Sequence, residues 1–113
     1  MKRILLAVKE EIKRGWCQGH YAMSDGRVAD IQSGKTLCLI GALVKVTGFS
    51  RYTVTDQMPK LREFGTFLAE KVNLGIDTSL ATTDYLLIGS NDSTEMTQER
   101  MVNLIDEYLG TLE

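Results

Sequence analysis

Thr36-Leu37-Cys38-Leu39-Ile40-Gly41-Ala42-Leu43-Val44-Lys45-Val46-Thr47, residues 36–47, is apolar almost all round. A helix with this pattern forms the buried centre of a domain rather than an amphipathic surface element. A central strand is the competing reading, because a short apolar run carries no decisive period. Gly41 and Ala42 favour a helix that a neighbour approaches closely, and Gly48 ends it. Ser33 or Thr36 is the expected cap at its start.

Working outward, residues 2–14 place Ile4, Leu5, Val8 and Ile12 on one helical face, with Lys9, Glu10, Lys13 and Arg14 away from it. Gly15 is expected to stop this helix in a left-handed conformation. Asp25-Gly26 signals a two-residue hairpin turn, because a type I′ turn needs positive φ at both positions. Its flanking strands are expected at about His20–Ser24 and Arg27–Ile31.

Beyond the central segment, Pro59 suits the first turn of a helix whose buried face is Leu61, Phe64, Leu68 and Val72. Asn73 and Gly75 supply its stop. Tyr85-Leu86-Leu87-Ile88 reads as a short strand or one helical turn, and Asn91-Asp92-Ser93 as a turn. Thr97 is an expected N-cap with Glu99 in the first turn. Met101, Val102, Ile105, Tyr108 and Leu109 form the apolar face of the last helix. The expected fold is mostly α (α+β), about four helices around a buried central helix, with a small β-hairpin near residues 20–31. A chain of 113 residues makes one domain, 1–113.

Composition narrows the function classes. Hydrophobic residues are 43% and charged residues 25%, which excludes a disordered chain. Thirteen basic and fifteen acidic residues are mixed along the chain, a net charge of -2. A nonspecific nucleic-acid binder would show a basic excess or block, so no nucleic-acid partner is indicated. The apolar run Ile4–Val8 is cut short by Lys9, Glu10 and Glu11, unlike a secretory signal. No stretch approaches the roughly 18 apolar residues of a membrane span. The expected location is the cytoplasm, with Cys17 and Cys38 reduced.

Three motifs invite chemistry. Ser33-Gly34-Lys35-Thr36 before an apolar helix looks like the end of a phosphate-binding loop. Ala29 stands at the position of that motif's first glycine, and no buried strand precedes it, so an ordinary helix start is preferred. Cys17, His20 and Cys38 are three potential zinc ligands, but a structural site needs a fourth, which only a carboxylate such as Asp92 could supply. No metal and no cofactor is therefore expected. Cys17 and His20 could form a nucleophile–base pair with Asn91 or Asp92 orienting the imidazole, although a small buried cysteine is the simpler assignment. Trp16 reads first as a core anchor and second as the aromatic wall of a pocket, with Gln18 and Tyr21 as polar contacts.

Gly15-Trp16-Cys17-Gln18-Gly19-His20-Tyr21-Ala22, Cys38-Leu39-Ile40-Gly41-Ala42-Leu43, and Asn91-Asp92 ahead of Thr97-Gln98-Glu99 resemble a family of small uncharacterised bacterial and phage proteins. Its pattern is W-x-Q-G-x-x-A, C-x-x-G-A-L and W-N-D before a T-x-E helix. Here Ser90 stands where the family's second tryptophan would be, and His20 lies outside the pattern. The resemblance implies that Trp16, Gln18, Cys38, Asn91 and Asp92 meet in one place. The candidate ligand or partner pocket is thus Trp16, Gln18, His20, Tyr21, Cys38, Asn91 and Asp92, with no catalytic residue assigned.

The favoured expectation is a noncatalytic binding or accessory protein, phage- or prophage-encoded, that engages a host protein or small ligand in the host cytoplasm. The alternatives are a small enzyme using Cys17 with His20 or Asp92, and a structural component that forms homo-oligomers.

Overall fold

The computed structural model describes residues 1–112. Among them are six helices: α1 (Lys2–Arg14), α2 (Leu39–Thr47), α3 (Val54–Gln57), α4 (Leu61–Lys71), α5 (Thr83–Asp92) and α6 (Gln98–Thr111). Three short strands, β1 (Ala22–Ser24), β2 (Arg27–Val28) and β3 (Thr36–Leu37), form an antiparallel sheet in the order β2-β1-β3. The fold is mostly helical with a small sheet, as expected from the periodicity.

The central segment is as buried as its composition requires, with Leu39 to Val44 withdrawn from solvent. α2 packs against α1, α3, α5 and β3. Gly41 permits a further close approach, by the segment that leads into β1: a Cβ there would lie 2.1 Å from the Tyr21 carbonyl oxygen. The start of the segment departs from expectation. Thr36 and Leu37 are strand, pairing with Met23 and Ala22. Neither Ser33 nor Thr36 caps the helix. Cys38 does, its sulfur accepting the Gly41 N–H at 3.3 Å. The reason is pairing from both sides. Leu37 N–H donates to Gly15 O, Cys17 N–H donates to Leu37 O, and β1 takes the other edge, so the backbone at 37 is held extended before the helix can begin.

Gly15 also plays a different part from the one expected. Its φ is 174°, extended rather than left-handed. What excludes a side chain is contact, since a Cβ would sit 2.4 Å from Lys35 O. The α1 carbonyls of Ile12 and Lys13, which have no intrahelical partner, accept instead from the Gln98 side chain at 2.8 and 3.3 Å.

The Asp25-Gly26 turn forms with φ of 53° and 79°, the two positive values that the type I′ geometry needs. The strands it joins are shorter than the expected 20–24 and 27–31, because β2 leaves the sheet after Val28. Leu61, Phe64 and Leu68 on α4 and Val72 at its C-cap are all buried, and Asn73 follows with φ 50°. Residues 83–92 correct the reading of a short element followed by a turn. Thr82 caps a ten-residue helix through Tyr85 N–H, and Asn91 and Asp92 belong to its last turn. Thr97 caps α6 through Arg100 N–H as expected, with Met101, Ile105, Tyr108 and Leu109 buried and Val102 half-buried.

Candidate functional site

Asn91 gathers the segments around it. Its side chain is 1% exposed and has four partners. Oδ1 accepts Trp16 Nε1–H at 2.8 Å and Leu39 N–H at 3.0 Å. Nδ2 donates to Cys17 O at 3.1 Å and to Asp92 Oδ1 at 3.0 Å. A primary amide can accept twice and donate twice, so this buried group is satisfied in full. It ties the 16–17 segment and the start of α2 to the end of α5.

Gln18 and Asp92 extend the same lattice. Gln18 Nε2 donates to the carbonyl oxygens of Asn91 and Ser93 at 2.9 and 3.0 Å, which closes the C-terminus of α5. Asp92 sits in the last helical turn, where the helix dipole disfavours a negative charge. Its Oδ1 is compensated by the Gly19 N–H at 2.9 Å as well as by Asn91. Gly19 has φ 80°, which lets the chain turn there and present that N–H.

In front of the lattice lies an open cleft of about 130 Å³. It is lined by Gly19, His20, Tyr21, Cys38, Ile40, Ile88, Asn91 and Asp92. Five of the seven expected pocket residues line it: His20, Tyr21, Cys38, Asn91 and Asp92. Trp16 and Gln18 do not. They stand behind it as supports, because their side-chain N–H groups donate to the end of α5. Ile40 and Ile88 were not anticipated. Ile88 had a signal in the sequence, since on a helix it falls on a different face from buried Leu86 and Leu87.

Both thiols are buried. Cys17 Sγ donates to the His20 carbonyl oxygen at 3.4 Å, not to the imidazole. Burial pushes the Cys17 thiol above its ordinary value. Burial also pushes the Cys38 thiol up, to about 11, despite the Gly41 N–H at its sulfur. A protonated thiol is a poor nucleophile and a poor metal ligand. Among the described residues no three His, Cys, Asp or Glu side chains are grouped to hold a metal ion. The Ser33-Gly34-Lys35-Thr36 segment is no phosphate loop either. Ser33 and Gly34 N–H groups donate to Asp30 O, and Lys35 N–H donates to Met23 O, so the backbone donors are already used.

Ser90, where the resembled pattern has tryptophan, is fully buried, and its hydroxyl is unpartnered among the described residues. The apolar face of the last helix is packed inward, with Met101, Leu104, Ile105, Tyr108 and Leu109 buried. Large exposed apolar side chains occur at Leu80, Tyr85 and Ile88, on and before α5. No helix among the described residues is long and apolar enough to cross a membrane.

The chain belongs to a family of unknown function, DUF6197, whose model matches residues 1–108. Neither a curated protein nor a solved structure matches it. The resemblance to an uncharacterised family is met at that level.

Proposed function

We propose that this member of the family is a noncatalytic binding protein whose cleft receives an apolar group from a protein partner or a small ligand. The observation that carries this reading is the cleft itself. Its walls are Cys38, Ile40 and Ile88, and its rim carries Tyr21, His20 and Asp92. An apolar floor with a few polar groups at the edge is the usual chemistry of a recognition pocket. At about 130 Å³ it is smaller than the about 300–1,000 Å³ of small-molecule sites, which suits a single side chain inserted by a partner. The Asn91 lattice keeps the cleft pre-formed, which lowers the ordering cost of binding. The Cys17 thiol, bonded to a backbone carbonyl rather than to the imidazole, supports a noncatalytic role.

The motif resemblance extends the proposal to an accessory factor of phage or prophage origin that acts in the host cytoplasm. The test is capture of a host partner with the tagged protein and with its Ile88→Asp variant. A partner lost with Ile88→Asp but retained by Lys60→Ala is expected. Capture that is indifferent to Ile88 would remove the cleft from this reading. A self-associating structural component is the second reading, favoured by Leu80 and Tyr85 at 84% and 53% exposure. Sedimentation as a monomer at all concentrations would exclude it.

A further inference from the structure

We infer that the cavity between the end of α1, β3 and the end of α2 binds a small phosphate-class oxyanion through Arg14, Lys35 and Lys45. The cavity has a volume of about 340 Å³ and shares no residue with the cleft. Its lining includes three cationic residues, Arg14, Lys35 and Lys45, and a single acidic one, Glu11. Arg14 and Lys45 divide this carboxylate: Arg14 NH1 lies 3.3 Å from Oε1 and Lys45 Nζ lies 3.3 Å from Oε2. Two cations thus share one negative charge.

Lys35 lines the same cavity, while its Nζ donates to Asp25, which is outside the cavity, in the hairpin turn. Both side chains of that pair are about two-thirds or more exposed, so the pair is weak and an incoming anion can displace it. Ser33 and Gln32 add neutral donors to the lining, and Leu37 forms an apolar floor.

Each helix-terminal cation also has a local reason to be present. Arg14 and Lys45 stand in the last turns of α1 and α2, where positive charge offsets the helix dipole. That does not account for Lys35, which lies on the loop entering β3. Nor does it account for the convergence of all three. The convergence depends on Gly15, because only a residue without a side chain lets the end of α1 lie against Lys35 O. The uncompensated charge favours an anion carrying two or more charges. The volume accommodates two linked phosphate groups better than one. The Lys35 of the phosphate-loop look-alike thereby serves an anion with its side chain, although the backbone around it cannot.

The experiment is calorimetric titration at fixed ionic strength with three probes: inorganic phosphate, inorganic pyrophosphate and phenyl phosphate. Pyrophosphate should bind more tightly than phosphate. Phenyl phosphate binding as well as pyrophosphate would identify a phosphorylated organic molecule as the ligand, and weaker binding would identify free polyphosphate. Lys35→Ala should weaken pyrophosphate binding about three- to fivefold, as for an exposed charge contact. Lys60→Ala, an equal change in net charge outside the cavity, should leave it unchanged. Glu11→Gln should tighten it, because the competing carboxylate is lost while a side-chain acceptor remains. Absence of pyrophosphate binding, equal weakening by Lys60→Ala, or weakening by Glu11→Gln would each overturn the proposal.

Discussion

The Trp16 indole N–H donates to Asn91 Oδ1 at 2.8 Å across 75 residues of sequence. This bond joins the first segment after α1 to the last turn of α5. It converts two residues that each resemble a binding-site side chain into parts of one internal lattice. The cleft is built on that lattice: Asn91 and Asp92 belong to both, whereas Trp16 and Gln18 hold the lattice without lining the cleft.

Removing the lattice should destabilise the whole domain. Asn91→Ala leaves Leu39 N–H, Trp16 Nε1–H and Cys17 O without their buried partner. A loss of about 3 kcal/mol is expected in urea unfolding. Trp16→Phe keeps most of the ring and removes one donor, and should cost about 1 kcal/mol. If Asn91→Ala unfolds at the wild-type midpoint, the lattice does not hold the fold.

Ser90 predicts the opposite sign. Its hydroxyl is buried without a partner, in the interior of a helix. Ser90→Ala removes a desolvated polar group and improves helix propensity, for a gain of about 1 kcal/mol. Thermal unfolding of the two proteins side by side decides it. A drop in melting temperature would show that the hydroxyl has a stabilising partner in solution.

Two glycines in helices should respond in contrary ways to the same substitution. Gly41→Ala drives a methyl group into the Tyr21 carbonyl oxygen, and should cost about 3 kcal/mol or more. At Gly110 a Cβ meets nothing within 4 Å, so Gly110→Ala should stabilise α6 by about 0.5–1 kcal/mol. Equal effects at the two sites would contradict the packing described for α2.

The Cys38 thiol makes stability fall at alkaline pH. In the unfolded chain it ionises near 9.0, whereas burial holds it to about 11 in the native state. Between these values the unfolded state has lost a proton that the native state retains. Stability is therefore full below pH 9 and declines as pH rises toward 11. Cys38→Ser keeps an N-cap acceptor and does not titrate in this range, so its stability should decline less over the same interval. Urea midpoints at pH 8 and pH 10 for both proteins measure the difference. The same protonated state predicts slow alkylation of both cysteines by iodoacetamide at pH 7.

Much of the fold was legible because it rests on local rules. A 3.6-residue period located α1, α4 and α6, and an unbroken apolar run marked α2 as the centre. Asp25-Gly26 specified its turn, and Thr97 specified its helix start, because each requirement is met within four residues. The association of Cys38, Asn91 and Asp92 was legible only through motif order.

What remained to the tertiary structure was every feature whose cause lies far along the chain. Thr36-Leu37 is strand because β1 and residues 15–17 pair with it from two sides. Asn91 and Asp92 are helical because Gln18 and Gly19 complete the end of α5 from another segment. Gly15 is needed for a carbonyl twenty residues away, and its own backbone angle would suit any residue. Hydrophobic period and turn chemistry act over one or two turns, so the sequence determined where elements lie. Hydrogen-bond partners and close contacts are chosen only when distant segments meet, so folding decided which side chains support the cleft and which face it.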